Sequence, residues 1–145
     1  MRYQSNRASC GPASLHNALA ALGIKRSEDE LIALSGQTPN GTSSRGIIKA
    51  IKSVSTPEAE LFGTAVRWRN IQEGSVGLWY LVGERGRPVI LCVDDFEHWV
   101  SCVGYLGGRF MIVDSAHNGL LLYYDKEQLN QRWEGPRGGY HGIIV

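Results

Sequence analysis

Cys10, His98 and Asp114 are the residues of this chain whose types could attack a carbonyl carbon together, and Gln4 offers a fourth group for the same task. Cys10 lies immediately before a segment of helical periodicity, where free backbone N–H groups and the positive end of the helix dipole favour an anionic sulfur. A nucleophile of this kind needs a base. His98 opens a strand beside a loop, a place from which an imidazole can face a cleft. The imidazole in turn needs an anchor, and Asp114 ends the following strand; both positions are even, so regular alternation turns them toward one face. Gln4, six residues before Cys10, can bring its side-chain amide beside the Cys10 N–H, making two donors for a tetrahedral oxyanion.

The strand register sets a condition on this arrangement. A two-residue turn at Gly107-Gly108 pairs Ser101 with Asp114 and leaves His98 on the wrong parity. A bulge, an odd-length loop or a bend must intervene. Asp94 and Asp95, in the loop before His98, are the alternatives to Asp114 as its anchor.

The elements that position these residues fall in two halves. Leu15, Ala18, Leu19 and Leu22 recur at helical spacing, with Pro12 in the first turn and Gly23 at the stop, so a helix spans about 11 to 22. Ser27 to Glu30 reads as a capping box for a short helix ending at Gly36. Ser43 or Ser44 caps a third helix that carries Ile47, Ile48 and Ile51. Beyond Pro57, a strand is expected near Leu61 to Trp68 and a helix near Ser75 to Gly83. Strands follow at Pro88 to Val93, His98 to Tyr105, Arg109 to Asp114 and Gly119 to Tyr124. Asp125 and Gln128 cap a last short helix to Trp133, and Tyr140 to Val145 is the closing strand. The pattern is α+β, an N-terminal helical part packed against a C-terminal antiparallel sheet, in one domain over residues 1–145.

Composition narrows the function. A formal charge of +1 gives no field that would gather nucleic acid or an anionic membrane. No stretch reaches the roughly 18 apolar residues of a membrane span, and the first residues have no signal-peptide core. Three cysteines without CxxC spacing predict neither a disulfide framework nor a zinc site, and no cofactor or metal is expected. A reducing compartment, the cytoplasm, fits this usage.

The segment Gln4-Ser5-Asn6-Arg7-Ala8-Ser9-Cys10-Gly11-Pro12-Ala13-Ser14-Leu15 resembles the nucleophile motif of the bacteriocin-processing, C39-like branch of papain-like cysteine peptidases. Gly41-Thr42-Ser43, Gly86-Arg87-Pro88-Val89-Ile90, His98-Trp99-Val100 and Val113-Asp114 resemble that family in the same order. The resemblance implies a papain-like fold with Cys10 as nucleophile, His98 as general base, Asp114 as orienting acid and Gln4 as oxyanion donor. It implies a peptide or protein substrate cut at a peptide or amide bond, with cleavage after Gly-Gly as a conjecture. Two rivals stand beside this reading. One is a transpeptidase, since the Gln-Ser, Cys-Gly and Ala-Ser-Leu wording is also similar to phytochelatin synthase. The other is a catalytically silent domain that binds a peptide in the same cleft.

Simpler readings suit the remaining candidates. Cys92 and Cys102 lie in apolar strand patterns and read as core. His16 is about 240° around the helix from Cys10, which places it away from the cleft. His117 and His141 sit in a polar turn and before an apolar strand. Trp99 reads as core, Arg67-Trp68-Arg69 as a solvated strand edge, and Gly138-Gly139 as a turn.

Overall fold

The computed structural model describes residues 9–117 and 119–145. Helix α1 (Cys10–Ala21) is followed by α2 (Glu28–Ser35) and α3 (Ser44–Val54), then β1 (Thr64–Trp68) and α4 (Ile71–Trp79). The chain continues through β2 (Val89–Val93), β3 (His98–Leu106), β4 (Arg109–Asp114), β5 (Leu120–Tyr124), α5 (Lys126–Trp133) and β6 (Tyr140–Ile144). The strands form one antiparallel sheet in the order β1-β6-β2-β3-β4-β5.

Both faces of this sheet are covered, which is why β2 is apolar at every position. Ile90 and Cys92 turn toward Leu15, Leu19, Leu31, Ile47 and Ile51 of the first three helices, while Val89, Leu91 and Val93 turn to the other side. There they meet Leu78 of α4 and Leu129 and Trp133 of α5. The period-2 alternation of a strand thus distributes one apolar run between two cores.

The helix starts follow the capping chemistry of the sequence. Ser27 accepts from the Glu30 N–H, Ser43 from Gly46, and Asp125 and Gln128 form a reciprocal capping box on α5. Helix α4 starts earlier than the expected Ser75: Asn70 caps it by accepting from the Glu73 N–H, while Glu73 reaches back to the Arg69 N–H. Its C-terminal end widens into a π-helical turn over Tyr80–Glu84.

Helices α2 and α3 cross closely at Gly46, where an added Cβ would stand 2.2 Å from the Ser35 carbonyl oxygen. A backbone atom cannot swing aside as a side chain can. Gly46→Ala is therefore expected to lower unfolding stability by about 2–3 kcal/mol, measured by urea denaturation with an unchanged m-value.

Candidate active site

Helix α1 and strand β3 are locked together one turn beyond Cys10. The Ser14 hydroxyl donates to the Trp99 carbonyl at 2.8 Å, and the Ser101 hydroxyl donates to the Ser14 carbonyl, both in buried surroundings. These bonds fix where the first residue of α1 lies relative to His98. Cys10 occupies that first position, 5% exposed, where its N–H has no intrahelical acceptor.

The register condition is met by a β-bulge in β3. From Leu106↔Arg109 to Gly104↔Met111 the pairing is regular, but Cys102 faces Ile112 and Ser101 faces Val113, so Val103 is the extra residue. One further step sets Asp114 opposite Val100, on the side of the sheet that His98 shares by alternation. His98 Nε2 then bonds Asp114 Oδ1 at 2.7 Å. With Nε2 committed to the carboxylate, Nδ1 is the ring nitrogen left for the Cys10 thiol, whose proximity helps to raise the His98 pKa.

Asp114 is fully buried and well supplied with donors. Oδ1 also accepts from the Ala116 N–H at 2.9 Å, and Oδ2 accepts from Arg132 Nη1 at 2.8 Å. Asp94, an alternative anchor in the sequence reading, turns to Arg132 instead, accepting from Nε at 3.0 Å and Nη2 at 2.7 Å. Arg132 thus ties the carboxylate behind His98 to the loop before it. That loop holds three successive non-glycine residues at positive φ, Asp94, Asp95 and Phe96, a conformation that costs free energy at each. Its restraints are the Asp94 N–H bond to the Arg132 carbonyl and the Phe96 ring lying on Gly135.

Electrostatics follow from these contacts. Burial lowers the His98 pKa, but the hydrogen bonds and negative charges of Asp114 and Cys10 outweigh it and raise the value from 6.5 to about 9. Burial raises that of Asp114, yet His98 and Arg132 hold it well below the ordinary carboxylate range. Burial pushes Cys92 and Cys102 up to about 12. The stability that charged His98 contributes is whole below pH 6.5 and is lost as pH rises through about 9. Asp114 contributes above pH 3.8 and loses its share as pH falls through its depressed folded value. Urea unfolding across pH is expected to show an alkaline decline between about 6.5 and 9 that flattens in His98→Ala.

The sulfur of Cys10 borders a cleft of about 560 Å³, whose other walls include Asn40, Thr42, Phe96, Glu97 and Trp99. Trp99 is core, as expected, and also donates from Nε1 to the Thr42 carbonyl at 3.1 Å. Thr42 packs on Gly11, where an added Cβ would lie 3.0 Å from the Thr42 Cβ. Gln4 lies outside the described residues, as does the side chain of His117. His16 bonds the Arg26 carbonyl, and Gly138 and Gly139 form a turn at positive φ. Cys92 and Cys102 are buried strand residues. Among the described residues, no three His, Cys, Asp or Glu side chains converge as metal ligands, and no helix is long and apolar enough to cross a membrane.

Helices packed on both faces of a six-stranded antiparallel sheet match the papain-like fold of C39 peptidase domains. The peptidase domain of Streptococcus ComA, a bifunctional ABC transporter of a quorum-sensing pathway, superposes with a TM-score of 0.71 at 20% identity. That match covers 99% of this chain and 96% of the other. A double glycine motif protease from an AMS/PCAT transporter, solved with its leader peptide, gives 0.68 at 21% identity over 99% and 89% of the two chains. An uncharacterized protein of Methanothermobacter marburgensis is 46% identical over 127 residues, 86% of this chain and 87% of that one. The profile of the Peptidase_C39 like family matches residues 1–140. The chain belongs to that family.

Proposed function

We propose that this protein is a cysteine peptidase in which Cys10 is the nucleophile, His98 the general acid and base, and Asp114 the orienting carboxylate. The observation that carries this reading is the 2.7 Å bond from His98 Nε2 to buried Asp114, with the Cys10 thiol near enough to the ring to raise its pKa. In the first step, Sγ attacks the carbonyl carbon while protonated Nδ1 gives its proton to the leaving amine. The C–N bond breaks and a thioester forms. Water then attacks the thioester, Nδ1 accepts its proton, and the C–S bond breaks to release the carboxylic acid. The Cys10 N–H and the Gln4 side-chain amide stabilise the oxyanion in both steps.

The substrate in this reading is a peptide or protein, with cleavage after Gly-Gly as a conjecture. The double glycine motif protease bound to its leader peptide supports that substrate class by its similarity of fold. The three cysteines are free, a state that a reducing compartment maintains, which supports a cytoplasmic setting.

Product masses after incubation with Gly-Gly peptides and with glutathione test the proposal. Two fragments that sum to the peptide plus water are expected. γ-Glutamyl-cysteinyl oligomers from glutathione would identify a transpeptidase, and tight binding without any product would identify a silent peptide-binding domain.

A further inference from the structure

Beside the Cys10 cleft lies a second pocket of about 360 Å³ that shares Thr42, Phe96 and Trp99 with it and is closed by Ser44, Arg67 and His141. Substrate lying across Cys10 therefore passes its mouth. Arg67 and His141 are cross-strand partners in β1 and β6, so their side chains stand on one face of the sheet. His141 Nε2 meets the Ser44 hydroxyl at 3.1 Å, and burial, together with the Arg67 charge, lowers the His141 pKa. Arg67 is the pocket's one permanently charged side chain among the described residues.

No carboxylate lines this pocket among the described residues, and Arg67 makes no ion pair there. Phe96 and Trp99 offer flat apolar walls for the stem of a side chain. A cation and aromatic walls together match a carboxylate on a short aliphatic stem.

We propose that this pocket is a substrate subsite for a carboxylate held close to the bond over Cys10, either an Asp or Glu side chain or a free C-terminus. The inference rests on the peptidase reading for what lies across Cys10, but its test does not depend on turnover. Labelled hexapeptides built around Gly-Gly, with Glu, Gln or Lys at each flanking position, are titrated by fluorescence anisotropy against Cys10→Ala. Each peptide is made as the free acid and as the amide.

Glu is expected to bind about 10-fold more tightly than Gln at one flanking position, with the preference shrinking in high salt and vanishing in Arg67→Gln. A preference for free acids over amides, independent of the side chains and lost in the same variant, assigns the pocket to the C-terminal carboxylate. Equal binding of Glu and Gln with equal binding of acid and amide overturns the proposal. So does a Glu preference that survives Arg67→Gln, or no binding in any arm. Glu-selective binding by Cys10→Ala alongside a wild-type protein that releases no product would reject the peptidase reading and leave the subsite standing.

Discussion

His98→Ala is expected to lower kcat/KM for peptide hydrolysis by about 10⁴-fold, and Cys10→Ala by at least as much. The effects arise from one unit: without the imidazole, no group of suitable pKa lies beside the sulfur to move protons at the two steps. The double variant is therefore expected to lose little more than either single one, because members of such a unit are not additive. His98 is only 13% exposed but lies at the start of β3, so its truncation leaves the two cores untouched. Full progress curves on the three variants, with circular dichroism to verify folding, measure this. A His98→Ala enzyme within 10-fold of wild type contradicts the assignment.

Asp114 carries the second large effect, and its two neighbours separate orientation from charge. Asp114→Ala removes the acceptor for His98 Nε2 and leaves Arg132 without one of its two carboxylates, so activity is expected to fall by about 10³-fold with a clear loss of stability. Asp114→Asn keeps an acceptor oxygen for the ring but not the charge, and about 10-fold is expected. The His98 pKa then moves from about 9 back toward 6.5, which shifts the alkaline limb of the pH–rate profile to lower pH. Arg132→Met should act by a different route, loosening the strained Asp94–Phe96 loop and the carboxylate together. Initial rates across pH for the three variants distinguish these outcomes. Equal losses in Asp114→Asn and Asp114→Ala would mean that charge, and not ring orientation, is what the aspartate supplies.

The parts of this site that rest on local chemistry are legible in the sequence. Cys10 at the start of a helix with Pro12 in its first turn, Ser27 and Ser43 as caps, and the Asp125–Gln128 box all appear where their backbone bonds require them. The need for a bulge between His98 and Asp114 follows from strand parity, and an isolated Gly104 within the strand pattern marks its place. The early start of α4 also had a signal, Asn70 followed by Glu73 three residues on, which the glycines of Ile71 to Gly77 obscure. Arg132 had none. It is an ordinary residue of a polar helix until tertiary packing brings α5 over β4, and only then do Asp94 and Asp114 share one guanidinium. The Ser44–His141 contact is equally non-local, since 97 positions separate its partners.

The competitive alkylation of the three thiols tests the central pairing of sulfur and imidazole most directly, because it needs no knowledge of the substrate. Iodoacetamide in limiting amount, followed by peptide mass mapping, is expected to label Cys10 well ahead of Cys92 and Cys102, whose thiols burial holds up near 12. The Cys10 rate should fall at least 10-fold in His98→Ala while the other two stay as they were. Even labelling of all three cysteines, or a Cys10 rate indifferent to His98, would contradict the account.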